Sequence, residues 1–415
     1  MIRISCLLLF GVILSAQTLT LQHAVEKTLK NHPDVQSFSL KIKQSHSSYK
    51  SAFSAYLPQI NLQANYNALQ TFVFPVNGSF NTIDDSGWSA GASLKQKIWD
   101  FSTTTNRVDA SKIDEDITKL SLEEFKALLV YKVHSFYELM LVQNEAIQVR
   151  QKDLQSKEAY YEQAMALVEQ GLKTKADASR FLSAVYIAKE NLSTAKASFN
   201  KAKNSLSLYM GEKIQDDVSL EEGILQRELS QADTIESEIL QNNYQLKILT
   251  QNRDKNILLH KATKASHYGS IDAIASYSHI DTLNSYDSKL LGVTLNIPLY
   301  SGGRVSAETQ KAEIASQITK QQIASQELAL KEELENLLID IQRYKKTIEA
   351  KEAQLLSATE TKKVLDGRYE EGLSTYIEVL DATSLVLNAE LGLLEAYYSK
   401  SMSINRLHYL QGRIK

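Results

Sequence analysis

The chain has 415 residues, with 46 Lys and Arg against 49 Asp and Glu, so its net charge of −3 leaves no basic excess to hold nucleic acid. Hydrophobic residues at 43% and charged ones at 23% exclude global disorder. Only 4 Pro and 15 Gly occur, where average usage would give about 20 and about 29, so long helices are favoured over a loop-rich fold.

The first residues are MIRISCLLLFGVILSAQ. Arg3, the apolar run Leu7–Leu14 and the small pair Ser15-Ala16 have the order of a secretory signal peptide, cut near Ala16. Cys6, the sole cysteine, precedes most of the apolar run, so it is not placed for a lipid anchor. The exported chain is then expected to lack any disulfide, thiolate metal site or cysteine nucleophile. No later stretch of ~18 apolar residues predicts a transmembrane helix. A chain of this kind enters a membrane only as a β-barrel.

An internal repeat orders the rest. Asn31–Asp34 lines up with Asn242–Gln245, and the same offset sets Ile60, Ala64 and Tyr66 on Ile271, Ala275 and Tyr277. Leu94, Gly171 and Gly211 fall on Leu295, Gly372 and Gly412 at a slightly shorter offset. The expected division is a signal peptide at 1–16, a first copy at 17–211, an acidic linker at 212–229 and a second copy at 230–415.

Each copy begins with a helical segment, Leu21–Phe53 or Ile235–Lys264. Two alternating stretches follow. Ile60, Leu62, Ala64 and Tyr66 alternate with Asn61, Gln63, Asn65 and Asn67, and Leu291, Val293, Leu295, Ile297 and Leu299 alternate with Gly292, Thr294 and Asn296. Trp88–Lys97 and Ser270–Tyr277 alternate less cleanly. Asn67–Gly87 and Ser278–Ser288 are expected as connecting loops; the longer one carries Pro75, Asn77-Gly78 and Asp84-Asp85-Ser86-Gly87.

No Pro interrupts Thr103–Gln170 or Arg304–Glu371, and apolar residues recur at three- and four-residue steps. Each run makes a helical rod of about 100 Å. Gly171 and Gly372 break the rods, and shorter helices return to Gly211 and Gly412. Frequent alanines suit close antiparallel packing.

Four strands cannot close a barrel, since the smallest membrane barrels have about 8. The chain must therefore oligomerise if it spans a membrane; two copies give 8 strands and three give 12. Trp88, Trp99 and Tyr300 flank the strands where interfacial aromatics belong, although core aromatics at strand ends would have the same spacing.

This pattern resembles the TolC-like outer-membrane efflux family. The resemblance rests on the duplicated hairpin and long-helix layout, on Tyr56-Leu57-Pro58-Gln59-Ile60, and on the tip segments Val168–Leu172 and Tyr369–Ala382. It covers essentially the whole exported chain. It implies an α+β membrane protein with two tandem repeats, each a β-hairpin with long antiparallel coiled-coil helices. Three copies would share a 12-stranded outer-membrane β-barrel and an α-helical periplasmic tunnel. It further implies lipid of the outer membrane around the barrel, a periplasmic membrane-fusion adaptor at the tunnel tip, and an inner-membrane pump of RND, ABC or MFS type.

The resemblance also assigns residues. Glu378 and Asp381 match the acidic positions of the periplasmic constriction, the first one methylene longer here. Asp177 and Tyr369 match a pair that holds the tunnel shut, but Ser374 occupies the family's Arg position; Lys173, Lys175 or Arg180 is the expected substitute. Gly171-Leu172 and Gly372-Leu373-Ser374 form the docking tip. By spacing alone, these charges read first as a solvated helix face, and the resemblance reverses that.

No G-x-x-x-x-G-K, G-x-S-x-G or H-E-x-x-H motif occurs, and the eight histidines include no helical i, i+4 pair. No enzyme activity, cofactor or metal is expected. The expected function is the exit duct of a tripartite pump exporting small molecules such as drugs. The alternatives are the outer-membrane component of type I protein secretion and, in another class, a periplasmic coiled-coil adaptor or scaffold, which would not need four bilayer-length strands.

Overall fold

The structure is a computed structural model that describes residues 18–76, 78–216, 218–221 and 234–413. The expected signal peptide, with Cys6, lies outside the described residues. The elements run β1 (Thr18–Leu19), α1 (Leu21–Asn31), α2 (Pro33–Phe53), β2 (Gln59–Val76), β3 (Ser79–Trp99), α3 (Thr103–Glu169) and α4 (Lys175–Met210). Then come β4 (Ser219–Leu220), α5 (Ile235–Asn242), α6 (Tyr244–Ala265), β5 (Ser270–Asp281), β6 (Ser285–Asn296), α7 (Arg304–Glu370) and α8 (Tyr376–Leu410). The order helix, helix, strand, strand, long helix, shorter helix is thus repeated.

The opening helical segment of each copy is split, at His32 and again at Asn243. Pro33 begins α2, where the absence of an amide N–H costs nothing. The four long helices end alike. Gly171, Gly211, Gly372 and Gly412 all have positive φ, between 65° and 76°. At each, the glycine N–H and the following N–H turn back onto the last helical turn, the Schellman arrangement.

The chain divides into two units. One comprises Met1–Gln36, Glu123–Asn243 and Leu328–Lys415. Its helices pack by heptads: Ala188, Ala195 and Ala202 are buried on α4, as are Ala382, Ala389 and Ala396 on α8. Such small residues let helix backbones approach closely. Part of the segment expected as a linker is fixed into this unit. β4 pairs in parallel with β1, and the buried Tyr137 of α3 donates to the Leu19 carbonyl at 2.6 Å while accepting from Glu221 N–H at 2.9 Å. Burial raises the Tyr137 phenol to about 12, so it remains a donor at every ordinary pH.

The other unit comprises Ser37–Leu122 and Tyr244–Glu327 and carries an antiparallel sheet in the order β2-β3-β5-β6. The outer edges of β2 and β6 are unpaired among the described residues. The stretches expected as loops are mostly strand: β2 and β3 continue to Val76 and from Ser79, and β5 and β6 to Asp281 and from Ser285. A bulge between Asn67 and Gln70 hides the extension in the sequence, because it breaks the two-residue alternation.

Candidate functional site

Two parts of the molecule carry the expected functional residues, the turns joining α3 to α4 and α7 to α8, and the faces of the sheet. At the first turn Gly171 N–H bonds to the Val168 carbonyl at 3.0 Å and Leu172 N–H to that of Leu167 at 2.9 Å. At the second, Gly372 bonds to Tyr369 at 3.0 Å and Leu373 to Arg368 at 2.7 Å. Leu172 and Leu373 are left 66% and 64% exposed.

Each returning helix then opens with a capping box. Thr174 Oγ1 accepts from Asp177 N–H at 3.3 Å, and the Asp177 carboxylate accepts from Thr174 N–H at 3.1 Å. Thr375 and Glu378 repeat this at 3.3 Å and 2.6 Å. The backbone N–H of the capping threonine holds each carboxyl below its ordinary pKa, with the threonine hydroxyl adding to it. Asp177 and Glu378 therefore have a local helix-capping role that their spacing alone did not separate from a gating role.

Glu378 and Asp381 of α8 are both exposed, whereas Val379, Ala382 and Thr383 between and beside them are buried. The positions matching them on α4 are Asp177 and Arg180, so one copy offers two acids and the other an acid and a base. Beneath the turns lies one shared cluster: Tyr160 and Ala164 of α3, Ala178 and Phe181 of α4, Tyr369 of α7 and Val379 of α8. Phe181 stands 5.8 Å from both the Tyr160 and Tyr369 rings.

Tyr369 is 1% exposed, and its hydroxyl has no hydrogen-bond partner among the described residues. No bond joins it to Asp177. Burial pushes the Tyr369 phenol up, and the nearby Asp177 charge adds to that. Two of the three expected substitute cations face aromatic rings. Lys173 Nζ lies 5.6 Å from the Tyr369 ring centre and the Arg180 guanidinium 4.8 Å from that of Tyr376. Lys175 opens α4 and is exposed. Ser374 is buried and donates to the Leu365 carbonyl at 3.3 Å, which ties the turn to α7.

A triad that the sequence pattern did not single out joins the two helix pairs. Tyr160 Oη donates to Asp366 Oδ1 at 2.5 Å, while Lys362 Nζ donates to Asp366 Oδ2 at 2.7 Å and to Tyr160 Oη at 3.0 Å. Burial opposes the Lys362 charge, but its bonds to Asp366 and Tyr160 outweigh that and its pKa is raised. Lys362 and Asp366 form an i, i+4 pair legible on α7. The tie to Tyr160, some 200 positions away, had no local signal.

The sheet is two-faced. On one side lie Ile60, Leu62, Ala64 and Tyr66 of β2, then Trp88, Ala90, Ala92 and Leu94 of β3. Ala275 and Ile271 of β5 and Leu291, Val293 and Leu295 of β6 continue that side. The other side carries Asn61, Gln63, Asn65, Ser89, Ser93, Ser276, Ser278, Ser288 and Thr294. A register shift between Lys97 and Trp99 returns Trp99 to the apolar side, paired with Ile271. From Trp88 to Trp99 the strand covers about 35 Å, or about 25 Å of bilayer when tilted ~45°. Tyr300 follows β6 and is 89% exposed. On β2 and β3 the apolar side runs this whole height, whereas on β5 and β6 it ends near Ala275 and Leu291, beyond which the same side carries His279, Asp281, Asp287 and Lys289. An apolar side with a mainly polar reverse is what the wall of a membrane barrel around water requires.

A family model described as outer membrane efflux protein matches residues 24–212 and 236–413. The probable outer membrane lipoprotein SilC of Salmonella typhimurium is 24% identical over 412 residues, covering 91% of this chain and 82% of its own length. The outer membrane protein TolC of Vibrio cholerae serotype O1 is 23% identical over 405 residues, covering 93% and 89%. A crystal structure of CusC described for its transmembrane channel formation aligns with a TM-score of 0.84 at 17% identity, over 94% of this chain and 91% of that one.

Proposed function

The chain belongs to the outer membrane efflux protein family, and from that premise we propose that three copies build one exit duct of a tripartite pump. The protein is a transport component of the outer membrane rather than an enzyme. The observation that carries the trimer is the open four-stranded sheet with its apolar and polar faces. Three such sheets supply 12 strands, enough to close a barrel whose polar side encloses water. Trp88, Trp99 and Tyr300 then lie at the membrane interfaces.

The long helices form the periplasmic tunnel of the duct. Their two turns present Gly171, Leu172, Gly372, Leu373 and Ser374 to a membrane-fusion adaptor, and an inner-membrane pump of RND, ABC or MFS type supplies small-molecule cargo. Exposed leucines on rigid turns support this, because they give a partner helix apolar contact at little ordering cost. Glu378 and Asp381 of three copies form an acidic ring that narrows the tip and favours cations. The Tyr160–Asp366–Lys362 triad, beside Tyr369 and Asp177, ties the two helix pairs in the resting state. The repeated element order supports reading the chain as 17–211, 212–229 and 230–415.

Planar-bilayer conductance of the purified protein tests this, wild type beside Asp381→Asn and Glu378→Ala/Asp381→Ala. Cation-preferring steps that grow and lose selectivity in the variants are expected. Asp381→Asn leaves the capping box intact, so its effect reports the ring alone. A native-size preparation that forms no pore would sink the duct.

A further inference from the structure

The two helical turns are alike in form and unlike in charge. Aligned on Gly171 and Gly372, residues 167–181 stand against 368–382. Gln170 corresponds to Glu371, Lys173 to Ser374, Lys175 to Tyr376 and Arg180 to Asp381, and each of these pairs makes the second turn more acidic. Leu167 against Arg368 is the one change in the opposite sense. The first stretch holds Glu169, Lys173, Lys175, Asp177 and Arg180, a net charge of +1. The second holds Arg368, Glu370, Glu371, Glu378 and Asp381, a net charge of −3. Further along the rods, Glu162 on α3 and Lys362, Lys363 and Asp366 on α7 shift these totals to 0 and −2, and the contrast persists.

The chain itself makes no use of the acids that end α7. Glu378 caps α8, but Glu370 and Glu371 are exposed and form no ion pair among the described residues. α3 ends at Glu169 followed by Gln170, whereas α7 ends at Glu370 followed by Glu371. The C-terminal end of a helix favours cations, so two adjacent carboxylates there are locally unfavourable. Arg368, the one base of that last turn, is folded onto the Leu373 carbonyl at 3.3 Å. A local rule broken without compensation inside the chain points to a contact outside it. On the first turn Lys175 is exposed, while Lys173 and Arg180 lie over aromatic rings and keep their charge.

We propose that the two turns are not equivalent docking positions: the α7–α8 turn takes a partner helical hairpin with a basic tip, and the α3–α4 turn disfavours the same tip. This rests on the docking reading above. At the second turn the exposed Leu373 supplies apolar contact, and Glu370 and Glu371 just before it supply charge of one sign to basic side chains on that tip. Leu172 offers the same apolar contact, but beside Lys173 and Lys175 and with the single acid Glu169 before it. Complementary charge speeds docking at one turn, and like charge is the repulsive element that keeps the partner off the other. Three copies thus present three strong positions for a basic-tipped hairpin rather than six equal ones.

The test uses detergent-solubilised trimer, its assembly checked by native mass, and three synthetic helical hairpins. The hairpins share a leucine-bearing tip and differ only in two flanking tip residues, which are arginine, glutamine or glutamate. Titration calorimetry at low salt should give the arginine hairpin the highest affinity, with three bound per trimer. Glu370→Gln/Glu371→Gln should weaken it about tenfold, to the level of the glutamine hairpin, and high salt should erase the difference. Gln170→Glu/Lys175→Glu, which gives the first turn the charge of the second, should raise the number bound toward six. Six equal sites on the wild type, or an arginine hairpin bound no better than the glutamine one, overturns the charge selection and spares docking at the turns. Binding of no hairpin by a trimer that still conducts overturns the docking reading as well.

Discussion

The turn at Gly171 and the turn at Gly372 share their glycine conformation, both backbone bonds onto the preceding helix, an exposed leucine and a threonine capping box. The strand hairpins of the same two copies do not match: β2–β3 runs on as a bulged ribbon where β5–β6 turns back at Asp281. The helical turns are constrained because two rods must be reversed and capped within a few residues. The hairpins share only the block that spans the bilayer, and beyond it the copies are free to differ. What the copies share is therefore what each wall segment needs; what only one has marks a task needed once per chain.

The largest effects should come from breaking the shared block. Leu62→Arg and Leu291→Arg each place a charge on the lipid side, one in each hairpin, at a cost of about 2–4 kcal/mol near the midplane. Both should reduce heat-resistant oligomer in outer-membrane fractions. Asn61→Arg and Thr294→Arg, on the polar side, should assemble normally and alter only ion selectivity. Equal loss from both pairs would show that the sheet is not two-faced.

The triad should come next. Tyr160→Phe removes the hydroxyl shared by Asp366 and Lys362, a loss of about 1–3 kcal/mol for a bond to a charged group. The tie between helix pairs should weaken and channel conductance rise. Asp177→Asn should change conductance less, since its carboxylate bonds to Thr174 of its own turn. The reverse order would return the lock to Asp177 and Tyr369.

Smaller and equal effects are expected at the glycines. A Cβ at Gly171 or Gly372 meets nothing within 4 Å, so only the positive φ resists it. Gly171→Ala and Gly372→Ala should each cost about 1 kcal/mol of local stability, read as equal acceleration of hydrogen exchange in the two turns. A clear inequality would mean that the turns are equivalent in form alone.

The same division governs what the sequence discloses. Helix limits are legible because proline is absent from the rods and glycine ends them. The membrane block is legible where alternation is unbroken, as at Ile60–Tyr66 and Leu291–Leu295. The ribbon is not, because Pro75, the Asn-Gly pair and the acidic run have loop composition while the bulge at Asn67 cancels the alternation. At the turns, Thr174-x-x-Asp177 and Thr375-x-x-Glu378 have capping-box spacing, yet the same acids suit a gate, and only geometry separates the two. Tyr160 gives no signal at all, since its partner is fixed by packing between helices far apart in the chain.

The smallest effect is a pH dependence common to both turns. Asp177 and Glu378 are each held below the ordinary carboxylate pKa, chiefly by the backbone N–H of Thr174 and Thr375. In the unfolded chain these groups titrate near ~3.9 and ~4.3. A depressed folded pKa adds stability that is complete above those values and is lost as pH falls through the depressed ones. Nothing should change between pH 8 and 6, whereas below about pH 4 both turns should fray. Hydrogen exchange at Leu172 and Leu373 should accelerate together in acid, and Asp177→Asn or Glu378→Gln should flatten the response at its own turn only. The flanking charges differ, Lys173 and Arg180 beside Asp177 but Arg368 beside Glu378. Added salt screens such exposed charges, so any difference between the turns at low salt should vanish at high salt, leaving the hydrogen bonds that the copies share.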